Sequence, residues 1–260
     1  MEIIGYLAAL LIGLFLGLIG GGGSILTVPI LVYLFKVDPL LATSYSLFIV
    51  GITSLIGSYQ NYKSKHLDIT KATYFVIPAV TSILIVRTFI LPQIAEVLFE
   101  IEGFELTKNK LIMIVFGVLM LSSSLAMIFK RKAIANTNIN LRQLSLIGLI
   151  VGLITGFLGA GGGFLIIPAL LFFGGLEMKN AVGTSLFIIA INSLLGFTGD
   201  LINGINIDYQ LLFSLSCIAV IGVLLGTFLL SKINNKRLKP AFGWFVLCVG
   251  LYILLAEFMR

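Results

Sequence analysis

Charge is scarce in this chain. Of 260 residues only 11% are Asp, Glu, Lys or Arg, while 59% are hydrophobic. A soluble domain carries about 25% charged and about 45–50% apolar residues. With a mean hydropathy of +1.14 there is too little polar surface to cover a water-soluble fold, and far too much apolar sequence for a disordered one. Cysteine is equally sparse. Cys217 and Cys248 both lie inside apolar runs, with no CxxC or Cys/His spacing, which speaks against a disulfide framework or a zinc site. The single histidine, His66, sits in the basic stretch KSKHLD and reads as a solvated loop residue rather than a proton relay. No Gly-Lys-Ser/Thr follows a glycine run, so no phosphate-binding P-loop is present. The net charge of +6 is not gathered into a basic stripe interleaved with aromatics, as a nucleic-acid surface requires. Neither a Ser/His/Asp set nor paired carboxylates fall within the apolar segments, which leaves a membrane hydrolase without support. No metal or organic cofactor is implied.

What is present is one motif written twice. Residues 17–29 read GLIGGGGSILTVP and residues 156–168 read GFLGAGGGFLIIP, at an offset of 139. The offset pairs Gly20 with Gly159, Gly22 with Gly161, Gly23 with Gly162, Ser24 with Gly163 and Pro29 with Pro168. Further on it pairs Ser46 with Ser185 and Ser54 with Ser193, and it still pairs Thr88-Phe89 with Thr227-Phe228. An acidic insertion containing Glu96, Glu100, Glu102 and Glu105 follows in the first copy alone.

Each copy contains five apolar segments, at 3–19, 25–35, 40–58, 72–91 and 109–129, then at 143–158, 164–173, 180–202, 209–230 and 240–258. A helical span needs roughly 20 residues, so the second segment of each copy is too short for one. It follows directly on a glycine run, a poor helix interior. The first two segments of each copy are therefore expected to form a broken helix or a re-entrant hairpin with the glycines at its tip. The chain divides into a first transmembrane repeat at 1–130, a basic cytoplasmic linker at 131–142 and a second transmembrane repeat at 143–260. The start, Met1-Glu2-Ile3-Ile4, lacks a basic region and reads as a retained first segment rather than a signal peptide.

Charge gives the topology. The loop holding Lys63, Lys65 and Lys71, the linker with Lys130, Arg131, Lys132 and Arg142, the loop with Lys232, Lys236, Arg237 and Lys239, and Lys179 are all expected inside by the positive-inside rule. Lys36, Lys108, Lys110, Arg260 and both termini then fall on the non-cytoplasmic side. Each copy crosses a net odd number of times, so the second is upside down relative to the first. The expected fold is an all-α integral membrane protein of the cell membrane, built as an inverted-topology repeat, an architecture of secondary transporters.

Three groups are candidates for the chemistry. The glycine tips, Gly20, Gly22, Gly23 and Ser24 against Gly159, Gly161, Gly162 and Gly163, allow close backbone approach, and the helices that follow offer N–H groups to an anion. The competing reading is close helix packing. Arg87, in TSILIVRTFIL, is the basic residue well inside an apolar segment. It either binds an oxyanion bidentately or snorkels to the headgroups. The third segments carry Ser46, Ser185, Ser54, Ser193 and Asn192, which either line a polar route or make interhelical hydrogen bonds. Asp200 and Asp208 fall near a membrane face; they either sense protons or are plain interfacial residues, and the interfacial reading leads. With no carboxylate placed in the pathway, the cargo is expected to be a small anion.

The run GLIGGGGSILTVPIL, its copy GFLGAGGGFLIIPAL, and the following ATSYSLF and VGTSLF resemble the TauE/SafE sulfite-exporter family, over nearly the whole chain. One departure is Ala160, where the first run has Gly21. The resemblance implies a polytopic permease for small sulfur-containing anions such as sulfite or organosulfonates. The expected function is transport of such an anion by alternating access, with the small anion and the lipid bilayer as partners. The rivals are an anion channel of the same fold and a non-transporting membrane assembly protein. Coupling ion and oligomeric state are left open.

Overall fold

The computed structural model describes residues 2–101, 104–128, 141–230 and 235–259. The expected linker at 131–142 lies outside these residues except for Leu141 and Arg142, as do Met1, Arg260, Glu102 and the start of the basic loop at 231–234. The first copy forms α1 (Glu2–Ile19), a 3-10 turn (Gly21–Leu26), α2 (Thr27–Tyr33), α3 (Pro39–Lys63), α4 (Ile69–Ile85), a π-helical turn (Val86–Ile90), α5 (Leu91–Gln93) and α6 (Lys108–Ile128). The second forms α7 (Leu141–Leu158), α8 (Gly163–Phe172), α9 (Met178–Ile202), α10 (Tyr209–Leu230) and α11 (Asn235–Phe258). Among the described residues, six helical stretches are long and apolar enough to cross a membrane: α3, α4 with α5, α6, α7, α9 and α10. Their outer faces are lined by exposed Leu, Ile, Phe and Val, as a lipid-facing bundle requires. The protein is a multi-span helical membrane bundle. The acidic insertion departs from the all-α expectation: β1 (Val97–Ile101) and β2 (Phe104–Thr107) form an antiparallel hairpin between α5 and α6.

Local chemistry sets the boundaries. Asp38 caps α3, its Oδ1 accepting from Leu40 N at 3.0 Å, with Pro39 at the first helical position. Asp68 and Asp208 cap α4 and α10 in the same way, each accepting at 3.0 Å from a backbone N–H three residues on. Pro78 lies within α4 and cannot donate to the Tyr74 carbonyl; Ser145 of α7 donates to that carbonyl instead, at 3.0 Å. Pro92 likewise cannot donate to Thr88. The helix widens into the π turn just before it, where Leu91 N reaches Val86 O.

The first two helices of the first copy form a hairpin. Gly5 and Tyr6 at the start of α1 lie against Phe35, just past the end of α2, with the Tyr6 and Phe35 rings 5.9 Å apart. Gly23 packs on the backbone of Phe15 and Leu16. At the centre α3 and α9 cross antiparallel, with Leu47 near Gly196, Gly51 near Leu194 and Gly57 near Leu186. On the flanks the packing is reciprocal. α1 lies parallel to α10 and α7 lies parallel to α4. Gly13 and Gly17 meet Ala219 and Val223, and Gly152 and Gly156 meet Ala79 and Ile83. Subtracting the repeat offset, these two contact registers agree to within one residue. Small residues permit the close approach, which replaces hydrophobic burial as the source of cohesion between helices in lipid.

Candidate functional site

The two glycine tips meet in the interior, beside the crossing of α3 and α9. A Cβ on Gly21 would collide with the Gly163 backbone, and one on Gly163 with the Gly21 backbone. The tips differ in conformation. In the first, Gly20 alone has positive φ, at 75°, and Ser24 Oγ donates to Gly21 O at 2.7 Å, closing a tight 3-10 turn. Gly22 and Gly23 are buried within that turn. In the second, Gly159, Gly161 and Gly162 all have positive φ, at 66°, 66° and 72°, and Gly162 is the left-handed residue that starts α8. Only glycine takes up such a run without strain.

The second tip is ringed by polar groups. The site of a Cβ on Gly161 is 2.8 Å from Ser193 Oγ and 2.8 Å from Val50, and one on Gly159 would lie 2.5 Å from Arg87 Nη2 and collide with Thr43. Arg87 is 1% exposed, so the snorkelling alternative is overturned. The π turn and the packing of α4 on α9 bring its side chain inward, and Asn203 Nδ2 donates to its carbonyl at 2.9 Å. Its Nη1 donates to Asp200 Oδ2 at 2.7 Å and lies 3.4 Å from Ser44 Oγ.

Asp200 is likewise 1% exposed. The expectation that no carboxylate lies in the protein interior is thereby corrected. The sequence carried a signal for this: a charge inside an apolar segment demands a partner, and Asp200 is an acid within the third apolar segment of the other copy.

Among the described residues, several buried polar atoms have no protein partner: Thr27 Oγ1, Ser46 Oγ, Ser54 Oγ, Ser193 Oγ, both amide atoms of Asn192, and Nε and Nη2 of Arg87. Buried polar groups are nearly always paired, so an unpaired set calls for a water, an ion or a ligand. Ser54 and Ser193 are repeat-equivalent and share this state. Ser46 and Ser185 do not, because Ser185 Oγ donates to Val182 O at 2.8 Å. Thr53, the counterpart of Asn192, also bonds its own helix, to Ile49 O at 2.7 Å.

The sequence model of the sulfite exporter TauE/SafE family matches residues 5–253. The chain belongs to the TauE/SafE family. It is 27% identical to a probable membrane transporter protein of Xylella fastidiosa, over 94% of this chain and 91% of that protein. It is 25% identical to the probable membrane transporter protein YjnA of Bacillus subtilis, over 95% and 98%. A probable membrane transporter protein of Methanocaldococcus jannaschii is 26% identical, over 98% and 94%. No solved structure matches significantly. The TauE/SafE chain is thus a membrane transporter rather than an enzyme, and among its described residues no group of three or more His, Cys, Asp or Glu is placed to hold a metal ion.

Two cross-copy hydrogen bonds fix the frame around this TauE/SafE site. Asp208 N donates to the Tyr45 hydroxyl at 2.6 Å, and Asp68 N donates to the Thr184 hydroxyl at 3.0 Å. Tyr45 and Thr184 are repeat-equivalent. Each copy's connection between its third and fourth segments is pinned to the central helix of the other copy. Tyr45 was not among the candidates read from the sequence, because its role depends on a contact 163 residues away.

Proposed function

We propose that this chain moves a small anion across the cell membrane by alternating access, between two halves of opposite orientation. The orientation is supported by repeat-equivalent helices running antiparallel, α3 against α9, and by the reciprocal register of α1 on α10 and α7 on α4. A two-fold axis that reverses a spanning helix lies in the membrane plane, as in transporters built from inverted repeats. With the basic loops inside, both termini lie on the non-cytoplasmic side. The hairpins of α1–α2 and α7–α8 then enter from opposite faces, and their tips meet at the level where α3 and α9 cross.

The observation that carries the reading is a group of buried donors with no partner among the described residues: the free edge of Arg87 beside Gly159, the Ser193 hydroxyl beside Gly161, and, on the central helices α3 and α9, the hydroxyls of Ser46 and Ser54 and the Asn192 amide. Hydroxyl and guanidinium donors fit the oxygens of a small oxyanion, and the family's description points to sulfite or a related sulfur-containing anion. The glycine tips, Gly20, Gly22, Gly23 and Ser24 with Gly159, Gly161, Gly162 and Gly163, supply the close backbone approach. Ser185 contributes through the turn it stabilises. Rocking of one half against the other would expose this cluster to each side in turn. Thermal unfolding of the purified protein with sulfite, methanesulfonate, acetate or simple amines tests the sign of the cargo. A ligand of the native state raises the melting temperature by mass action. Stabilisation by the anions is expected, and stabilisation by amines alone would overturn the reading.

A further inference from the structure

The Arg87 guanidinium is half occupied. Nη1 is taken by Asp200 Oδ2, 2.7 Å away, with Ser44 Oγ at 3.4 Å. Nε and Nη2 are buried without a partner among the described residues. These two nitrogens form the side-on edge of the guanidinium, whose parallel N–H bonds match two oxygens of a carboxylate, sulfonate or sulfite. The backbone of Gly159 borders Nη2, so the second hairpin tip covers this edge. Asp200 therefore holds one side of an oxyanion receptor and leaves the other side complete and empty of protein partners.

Charge then constrains how an anion can enter. The Arg87–Asp200 pair is neutral as a unit. A monoanion on the free edge would leave a net negative charge in the interior, beside the backbone of Gly159, and an uncompensated buried charge is strongly disfavoured. One added proton restores neutrality. The titratable side chains on the elements packed against α9 are few. On α3 they are Tyr45, Tyr59, Tyr62 and Lys63; on α4 and the π turn, Lys71, Tyr74 and Arg87; the first glycine tip and α8 carry none. Tyr45 accepts from Asp208 N, and Tyr59, Tyr62, Lys63, Lys71 and Tyr74 belong to the opposite end of α3 and α4. Of these, Arg87 alone pairs with Asp200.

We propose that Asp200 is the proton-coupling residue of this transporter: an oxyanion binds the free edge of Arg87 together with one proton, which is carried on the Asp200 carboxyl. This rests on the anion reading above and adds the coupling ion. The balance is simple. The proton comes from the solution on the side to which the site is open and bonds to a carboxylate oxygen of Asp200. Arg87 stays charged and exchanges a carboxylate partner for the incoming anion. The site is neutral before and after, and the proton leaves with the anion on the other side. Protonated Asp200 becomes a donor and adds a hydrogen bond to the bound oxyanion.

The test is calorimetric titration of the purified full chain with methanesulfonate at pH 7.5, in two buffers of different ionisation enthalpy. Methanesulfonate is fully ionised and brings no proton of its own. Close to one proton taken up per anion bound is expected for the wild type, a count that needs no variant. Asp200→Asn, which imitates the protonated acid, is expected to take up none and to bind at least about tenfold tighter. Wild-type binding with no proton uptake, or Asp200→Asn still taking up one, would overturn the coupling while leaving the anion reading intact. Failure of both proteins to bind methanesulfonate, sulfite and acetate would remove the anion reading and this inference with it.

Discussion

The repeat places two equivalent corners in the molecule, and they are built differently. At one, the tip residue Gly159 faces Thr43, with Arg87, Asp200 and Ser44 alongside. Carried through the offset of 139, these positions become Gly20, Val182, Gly226, Asn61 and Gly183. The contacts recur: a Cβ added at Gly20 would lie 2.8 Å from Val182, and one added at Gly183 3.0 Å from Asn61 Cβ. The charges do not recur. Asn61 merely donates to Gly57 O of its own helix, at 2.9 Å, and Gly226 packs on Leu14 and Gly17. The backbone frame is duplicated because the same small residues allow the same close packing in both copies. The ionic chemistry is written once. The structure thus has one charged corner and one neutral corner, and the two cannot be energetically alike.

The largest effects expected from breaking this comparison lie in the ion pair. Removing one partner strands a buried charge, at a cost of about 3–5 kcal/mol. Arg87→Gln and Asp200→Asn should each lower the melting temperature strongly. The double variant should recover much of the loss, because both charges leave together, yet it should not bind the anion. At the neutral corner, Asn61→Ala should cost only about 1 kcal/mol, the worth of an ordinary hydrogen bond. Equal destabilisation at the two corners, followed by thermal or denaturant unfolding, would show that the asymmetry is of no energetic consequence.

Next come the tips. Gly161 has φ +66° and little room, with Ser193 Oγ and Val50 each 2.8 Å from an added Cβ. Gly161→Ala should cost about 1–3 kcal/mol from the left-handed backbone alone, and Gly161→Val more, with loss of transport. Its counterpart Gly22 has no positive φ, so Gly22→Ala should be the milder change. Comparing unfolding and flux for the two alanine variants separates conformational demand from simple crowding. The reverse order would mean that the 3-10 turn at Gly21–Leu26 is the less tolerant tip.

Much of this was legible in the sequence, because a membrane fold writes its spans as length. The segments expected at 72–91, 143–158 and 209–230 are Ile69–Gln93, Leu141–Leu158 and Tyr209–Leu230. The glycine runs announced the tips, since a helix interior rejects them. The Arg87–Asp200 pair was not read, because it joins residues 113 apart through packing. Asp200 also lies close to the end of its segment, where an acid is ordinarily solvated. The β1–β2 hairpin escaped because four glutamates in the insertion masked the short alternation of Val97, Phe99 and Ile101. Which hydroxyls are free was unreadable too. Ser46 and Ser185 occupy equivalent positions, and only the local rotamer decides that one bonds its own helix.

The cross-copy hydrogen bonds offer a smaller and more symmetrical test. Tyr45 and Thr184 each accept a backbone N–H from the other half's inter-helix connection. Tyr45→Phe and Thr184→Val should each cost about 1 kcal/mol, and roughly equally, since both remove one acceptor from a buried position. A loss confined to one of them, read by chemical denaturation, would mean that the frame itself is asymmetric and not only its charges.

The last prediction perturbs the fold least and bears most directly on the orientation of the two halves. Ser64 lies in the connection after α3, and Asn206 in the equivalent connection after α9; both are exposed. If α3 and α9 cross the membrane in opposite directions, these connections lie on opposite faces. Lys63 and Lys65 put the first inside, by the positive-inside rule. Single cysteines at the two positions, in a chain lacking Cys217 and Cys248, should disturb stability by no more than about 0.5 kcal/mol, as exposed substitutions generally do. Asn206→Cys should react with a membrane-impermeant maleimide on intact cells, and Ser64→Cys only after the membrane is opened. Labelling of both from the same side would break the inverted relation, and with it any claim that the charged and neutral corners face opposite sides of the membrane.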